Sequence, residues 1–113
     1  MKFTASMKEN HLFRRLYAKG KSAVSPTVAL YARRNGSPRS RLGLTVGTKV
    51  GKAVRRNKVR RRLREIYRLH EGELKPGWDL VAVARTRAAF VSYHELERDF
   101  LRVLDKLEVR KKP

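Results

Sequence analysis

No cysteine occurs anywhere in the 113 residues. Disulfides and thiolate metal sites are therefore excluded, and a reducing compartment suits the chain. Acids are scarce: ten Asp and Glu stand against 29 Lys and Arg, a net charge of +19. Ten scattered carboxylates do not suggest a metal-dependent nuclease built from protein alone. The three histidines, His11, His70 and His94, are dispersed, and no two have metal-ligand spacing. Long apolar runs are also missing. The longest lies near residues 80–84, LVAVA, far short of a membrane span. The segment MKFTASMKEN lacks the apolar stretch of a secretory signal. The expectation is a soluble, cytoplasmic protein with no membrane partner and no metal held by its own side chains.

What is present is enough apolar residue to fold. Hydrophobic residues make up 41% of a chain whose length suits one domain spanning 1–113. The surplus of positive charge opposes compactness and favours a polyanionic partner. Nucleic acid is the first candidate and an anionic membrane surface the second.

Periodicity predicts six elements. A helix over 10–19 places Phe13, Leu16 and Tyr17 on one face, with Asn10 as its cap and Gly20 at its end. A strand over 27–33, TVALYAR, is followed by the turn RNGSPRS. The strand RLGLTVG, 41–47, alternates: Leu42, Leu44 and Val46 face one way, Gly43 and Thr45 the other. A long basic helix follows over 52–70, then the loop GELKPGW and a buried strand over 79–85. Ser92 and Glu95 form a capping box for a last helix over 93–110, with Leu96, Phe100, Val103, Leu104 and Leu107 as its core stripe. The order α-β-β-α-β-α predicts an α+β domain, a small mixed sheet packed with three helices.

The basic helix is the informative segment. Between Lys52 and Arg68 stand nine basic side chains and one acid, Glu65. At 100° per residue, Val59, Leu63, Ile66 and His70 share one stripe, and Asn57, Arg61, Arg64 and Arg68 lie opposite. Arg56 and Arg60 fall on one flank and Arg62 on the other. Four like-charged i,i+4 pairs each cost about 0.2–0.5 kcal/mol. Cations near the N-terminus oppose the helix dipole by about 0.3–1 kcal/mol apiece. A helix selected for stability alone would avoid this pattern. Seven of the nine cations are arginine, whose guanidinium binds phosphate bidentately and stacks on bases. Arg61, Arg64 and Arg68 span about 10 Å of one face. Eight such cations meeting phosphates would give log affinity against log salt a slope of roughly −6 to −7.

The segment RLGLTVGTKVGKAVRRNKVRRRLREIYR, 41–68, closely resembles the signature of the bacterial ribonuclease P protein subunit. Its carrier is GKAVRRNKVRRRLRE, 51–65; FRRLYAKG, ALYAR and DLVAVAR resemble the family's first helix, aromatic-bearing strand and following strand. The resemblance implies a ribosomal-protein-like fold with a left-handed β-α-β crossover, against the general right-handed preference. It implies a protein that binds a catalytic RNA and the 5′ leader of precursor tRNA, assisting endonucleolytic leader removal. Catalysis and its Mg²⁺ would be held mainly by the RNA, and protein alone would be inactive. RNA-subunit contacts carry over to Lys49, Lys52, Arg56, Asn57, Arg60, Arg61, Arg64 and Arg68. Leader contacts carry over to Phe13, Tyr17 and Tyr31, with Arg14 nearby. Thr48-Lys49 stands where the family often has two lysines, and Tyr17 where it often has Phe.

From the residues alone, other classes stay open. A ribosomal-protein-like RNA-binding module shares the charge and fold class but has no role in tRNA processing. A duplex-DNA binder would place the basic helix in a major groove. Phe13, Leu16 and Tyr17 have the spacing of ordinary core residues, and Arg14 that of surface charge. His70 reads as a packed histidine, and Asp79 as a lone turn aspartate, a type that could bind a divalent metal but usually does not.

Overall fold

The computed structural model describes residues 3–111. Three helices, α1 (Asn10–Lys19), α2 (Ala53–His70) and α3 (Tyr93–Lys106), pack on five strands: β1 (Thr4–Ser6), β2 (Lys21–Val24), β3 (Val28–Arg34), β4 (Ser40–Thr45) and β5 (Trp78–Ala84). The sheet order is β1-β4-β5-β3-β2. β4 runs parallel to β1 and to β5, whereas β3 is antiparallel to β2 and β5. Helix α2 is the crossover between the parallel neighbours β4 and β5. The six expected elements are all present. The short edge strands β1 and β2 add to them.

Alternation along the three central strands makes two faces. On one, the rows Ala32–Leu80–Leu42 and Leu30–Ala82–Leu44 meet α2 and α3. Val59, Leu63, Ile66 and Tyr67 from α2 and Leu96, Phe100, Val103 and Leu104 from α3 complete this core. Truncating any of the large side chains to alanine would cost about 2–5 kcal/mol. On the other face, the rows Tyr31–Val81–Gly43 and Ala29–Val83–Thr45 meet α1, through Leu12 and Leu16, and Met7 from the segment leading into it. One short helix cannot cover five strands, so part of this face stays open.

Local details differ from the sequence expectation for physical reasons. Glu9, not Asn10, occupies the N-cap of α1, and no side chain bonds to the helix N-terminus there. Gly20 ends α1 by close approach: a Cβ there would lie 2.6 Å from the Leu16 carbonyl oxygen. Ser92 caps α3 as expected, its hydroxyl accepting from the Glu95 amide at 3.1 Å. α3 stops at Lys106 rather than near 110, because Glu108 takes φ 58 and the chain turns back into a bridge of Arg110 with Leu74.

Polar groups fasten the edges. The Tyr67 hydroxyl shares a 2.8 Å hydrogen bond with Thr4, tying β1 to α2; burial pushes its pKa up to about 12. Asp79 is not a free turn aspartate. It lies within β5, where Arg41 donates to both its oxygens, at 2.8 and 2.7 Å, and Asn35 adds a third bond at 3.0 Å. His70 lies on the buried side of α2, but both its ring nitrogens face carboxylates, Glu73 at 2.7 Å and Glu97 at 2.9 Å. Burial opposes its charge; the bonds to Glu97 and Glu73 outweigh that and raise its pKa.

Candidate RNA-binding surface

Helix α2 buries the stripe Val59–Leu63–Ile66–Tyr67 and leaves Asn57, Arg61, Arg64 and Arg68 in solvent. The packing thus turns a 3.6-residue pattern into a ridge of cations. Most of those cations are not neutralised internally. Arg68 is the exception, paired with Glu65 at 2.6 Å; its hydrogen bonds hold the Glu65 carboxyl below the usual carboxylate range. Arg60 donates to the Asn57 amide oxygen at 3.0 Å, Arg56 to the Gly51 carbonyl at 3.1 Å, and Arg62 to the Val91 carbonyl at 3.3 Å. These bonds orient guanidinium groups while leaving their charge uncompensated. Arg61 and Arg64 have no hydrogen-bond or ion-pair partner among the described residues.

The N-terminus of α2 adds to the positive potential. Lys52 holds the cap position without a side-chain cap, and the first turn carries no acid. The free N–H groups and the positive end of the helix dipole therefore point outward beside Lys52, and exposed Lys49 lies on the preceding 3-10 turn, Thr48–Val50. The basic first turn, costly for an isolated helix, reinforces the attraction for an anion. The absence of a capping residue before 53 was the sequence signal for this.

The open sheet face forms a cleft on the other side of the molecule's β4 edge. Tyr17 and Tyr31 meet edge to face, ring centroids 4.9 Å apart, and Tyr17 remains 43% exposed. The Tyr17 hydroxyl shares a 3.1 Å hydrogen bond with Thr45. Phe13 is half-buried against Gly43, where a Cβ would sit 2.6 Å from the ring. A side chain at 43 would displace the aromatic wall, so glycine is what lets Phe13 lie against the sheet here. Arg14 is exposed on α1. Gly43, Thr45 and Val83 line the cleft without having been singled out for it, although the alternation of β4 already set Gly43 and Thr45 on one face.

Ridge and cleft approach each other at Phe13. A depression beside β4 is lined by Ser6, Met7, Phe13 and Leu42 on the sheet side and by Arg60 and Arg64 from α2. Beyond Leu42, β1 no longer pairs with β4, so that edge is open between them. The lining of this depression holds no acid and joins Arg60 and Arg64 to Phe13.

Among the described residues, no three Asp, Glu or His side chains converge to hold a metal, and no helix is long and apolar enough to cross a membrane.

Residues 1–108 match the family model described as Ribonuclease P. The chain is 38% identical over 107 residues to a protein from Natranaerobius thermophilus named ribonuclease P protein component, covering 95% of this chain and 93% of that one. A protein of the same name from Clostridioides difficile is 35% identical, with 94% of each covered. Among solved structures, the RNase P protein of Staphylococcus aureus superposes with a TM-score of 0.86 at 30% identity, over 94% of this chain and 97% of that one. That of Thermotoga maritima gives 0.82 at 31%, over 89% and 96%.

Proposed function

The chain belongs to the ribonuclease P protein family, and we propose that α2 binds the catalytic RNA of that ribonucleoprotein while the cleft grips the 5′ leader of precursor tRNA. As a subunit of a tRNA-processing ribonucleoprotein, it has an RNA partner. The ribosomal-protein-like alternative without a processing role is set aside by the family match over residues 1–108.

One observation carries the finer assignment. Arg61 and Arg64 project from a packed helix with no carboxylate partner among the described residues, next to a cleft walled by Phe13, Tyr17 and Tyr31. Guanidinium groups at this density suit phosphates at fixed spacing. Half-open aromatic rings suit bases of a single strand, and stacking accepts many sequences at about 1–3 kcal/mol per base. A leader varies between tRNAs, so a sequence-tolerant grip fits the substrate. Lys49, Lys52, Arg56, Asn57, Arg60 and Arg68 extend the RNA-subunit surface. Arg14, on the solvent side of α1, would meet leader phosphates rather than bases.

Among the described residues, no acidic or histidine side chains converge into a magnesium site. Asp79 is occupied by Arg41 and Asn35, Asp99 accepts from Thr27 at 2.7 Å, and Glu65 is taken by Arg68. The cation ridge would repel a divalent ion. Hydrolysis of the phosphodiester therefore falls to the RNA and the Mg²⁺ it binds; the protein's part is to hold both RNAs and screen their mutual repulsion, in the cytoplasm where tRNA is processed.

The test is reconstitution. Adding the chain to ribonuclease P RNA and precursor tRNA at low magnesium should give cleavage at the mature 5′ end, with protein alone inactive. No stimulation, or cleavage by protein alone, would contradict the proposal.

A further inference from the structure

The flank of α2 that faces away from the cleft carries a second aromatic. Phe90 is 70% exposed at the end of the 3-10 turn Thr86–Ala89, and Val54 of α2, which lines one depression with Ala89, is 84% exposed. Isolated exposed apolar residues are ordinary. Three features set this one apart. First, its mounting is rigid: Ala88 is fully buried in the core, the Phe90 amide donates to the Arg87 carbonyl at 3.0 Å, and Arg62 donates to the carbonyl of Val91. Second, the Arg55 guanidinium lies 5.0 Å above the Phe90 ring centroid, with its aliphatic stem against Gly51. Third, the neighbouring depression of about 660 Å³ is lined by Lys52, Val54, Arg55 and Lys58, with no acid among its residues.

An apolar ring, a planar cation and surrounding ammonium groups match one chemistry: a flat aromatic group joined to a phosphate. We propose that Phe90, with Arg55 and Val54, is a stacking platform for an unpaired nucleobase of the catalytic RNA, whose flanking phosphates lie on Lys52 and Lys58. The platform rests on the assignment of α2 to that RNA. It gives the ridge an aromatic on each flank, Phe13 towards the cleft and Phe90 away from it. A protein partner or a second copy of the chain would gain little from a cation over the ring and two more in the adjoining depression, whereas a polynucleotide gains from each.

The experiment measures affinity for the ribonuclease P RNA of the genome that encodes this chain, over a salt series, for the wild type, Phe90→Ala, Phe90→Leu and Phe90→Tyr. Phe90→Ala should weaken binding about five- to 150-fold, the range of one lost base stack. Phe90→Leu should lose most of this, and Phe90→Tyr should stay within about threefold of wild type. The salt slope should not change in any of them, because no cation is removed. Thermal stability should hold, since the side chain is exposed. Phe90→Ala binding as wild type does, or Phe90→Leu matching Phe90→Tyr, would overturn the platform while leaving the α2 assignment intact. Failure of the wild type to bind would overturn both.

Discussion

Replacing Gly43 by alanine should move the wall of the cleft and little else. A Cβ at this position would lie 2.6 Å from two carbons of the Phe13 ring, where ordinary contact is 3.4–4 Å. The ring must therefore retreat by at least 3.4 − 2.6 = 0.8 Å. It has somewhere to go, because Phe13 is half-buried and borders the depression next to Arg60 and Arg64. The stability cost should fall at the low end of overpacking, about 1 kcal/mol, or about 4 °C in Tm for a domain of this size. Affinity should suffer more selectively. A displaced ring forfeits part of a base stack, so precursor tRNA should bind the reconstituted ribonucleoprotein about fivefold or more weakly, with mature tRNA unchanged. Gly20→Ala is the control. Its Cβ would strike the Leu16 carbonyl oxygen at 2.6 Å and that of Ala32 at 3.2 Å, backbone atoms that cannot rotate away. It should cost at least as much stability and leave the ratio of precursor to mature affinity untouched. Thermal unfolding and binding of the two tRNAs decide the matter. An unchanged ratio for Gly43→Ala, or an equal loss for both tRNAs, would refute the role of Phe13.

Tyr17→Ala or Tyr31→Ala should weaken precursor tRNA binding with mature tRNA little affected, whereas Tyr17→Phe, which loses only an exposed bond to Thr45, should stay within about twofold; equal losses for both tRNAs would count against the cleft. Thr27→Val should destabilise by about 1–3 kcal/mol, because it removes the donor to the buried carboxylate of Asp99; denaturant unfolding within experimental scatter of wild type would contradict this. The His70 pKa is raised in the folded state, so its contribution to stability is full below its unfolded value of about 6.5 and is lost as pH rises through the folded value. The stability gap between wild type and His70→Gln should therefore be larger at pH 5.5 than at pH 8.5, and a gap independent of pH would exclude the charged bridge between Glu73 and Glu97.

The elements that sequence periodicity exposed are those with a continuous amphipathic pattern. α2 and β4 announced their faces residue by residue, and the solvent ridge of Asn57, Arg61, Arg64 and Arg68 lies where the helical wheel placed it. β1 and β2 did not announce themselves. Each is three or four residues at a sheet edge, β1 paired only with β4 and β2 only with its sequence neighbour β3, and each is too short for a local pattern of burial to mark it. The stripe of α2 was slightly misread too. Tyr67 is the deeper residue, its hydroxyl satisfied by Thr4, while His70 is held by carboxylates 3 and 27 positions away. Asp79 looked like a turn residue because its partner Arg41 is 38 positions earlier. The cleft was half legible: its aromatics were visible in the sequence, but that Gly43 makes room for Phe13 depends on a packing distance that no spacing reveals.

The account depends on a polynucleotide backbone meeting the uncompensated guanidinium groups of α2. The most direct test is the affinity of the chain for ribonuclease P RNA across a salt series, for wild type and for Arg61→Ala combined with Arg64→Ala. Wild type should show a slope of log affinity against log salt of roughly −6 to −7, and the double variant a slope shallower by about 1.5, with Tm unchanged or raised. Affinity insensitive to salt, or a double variant that unfolds while its slope stays the same, would contradict it.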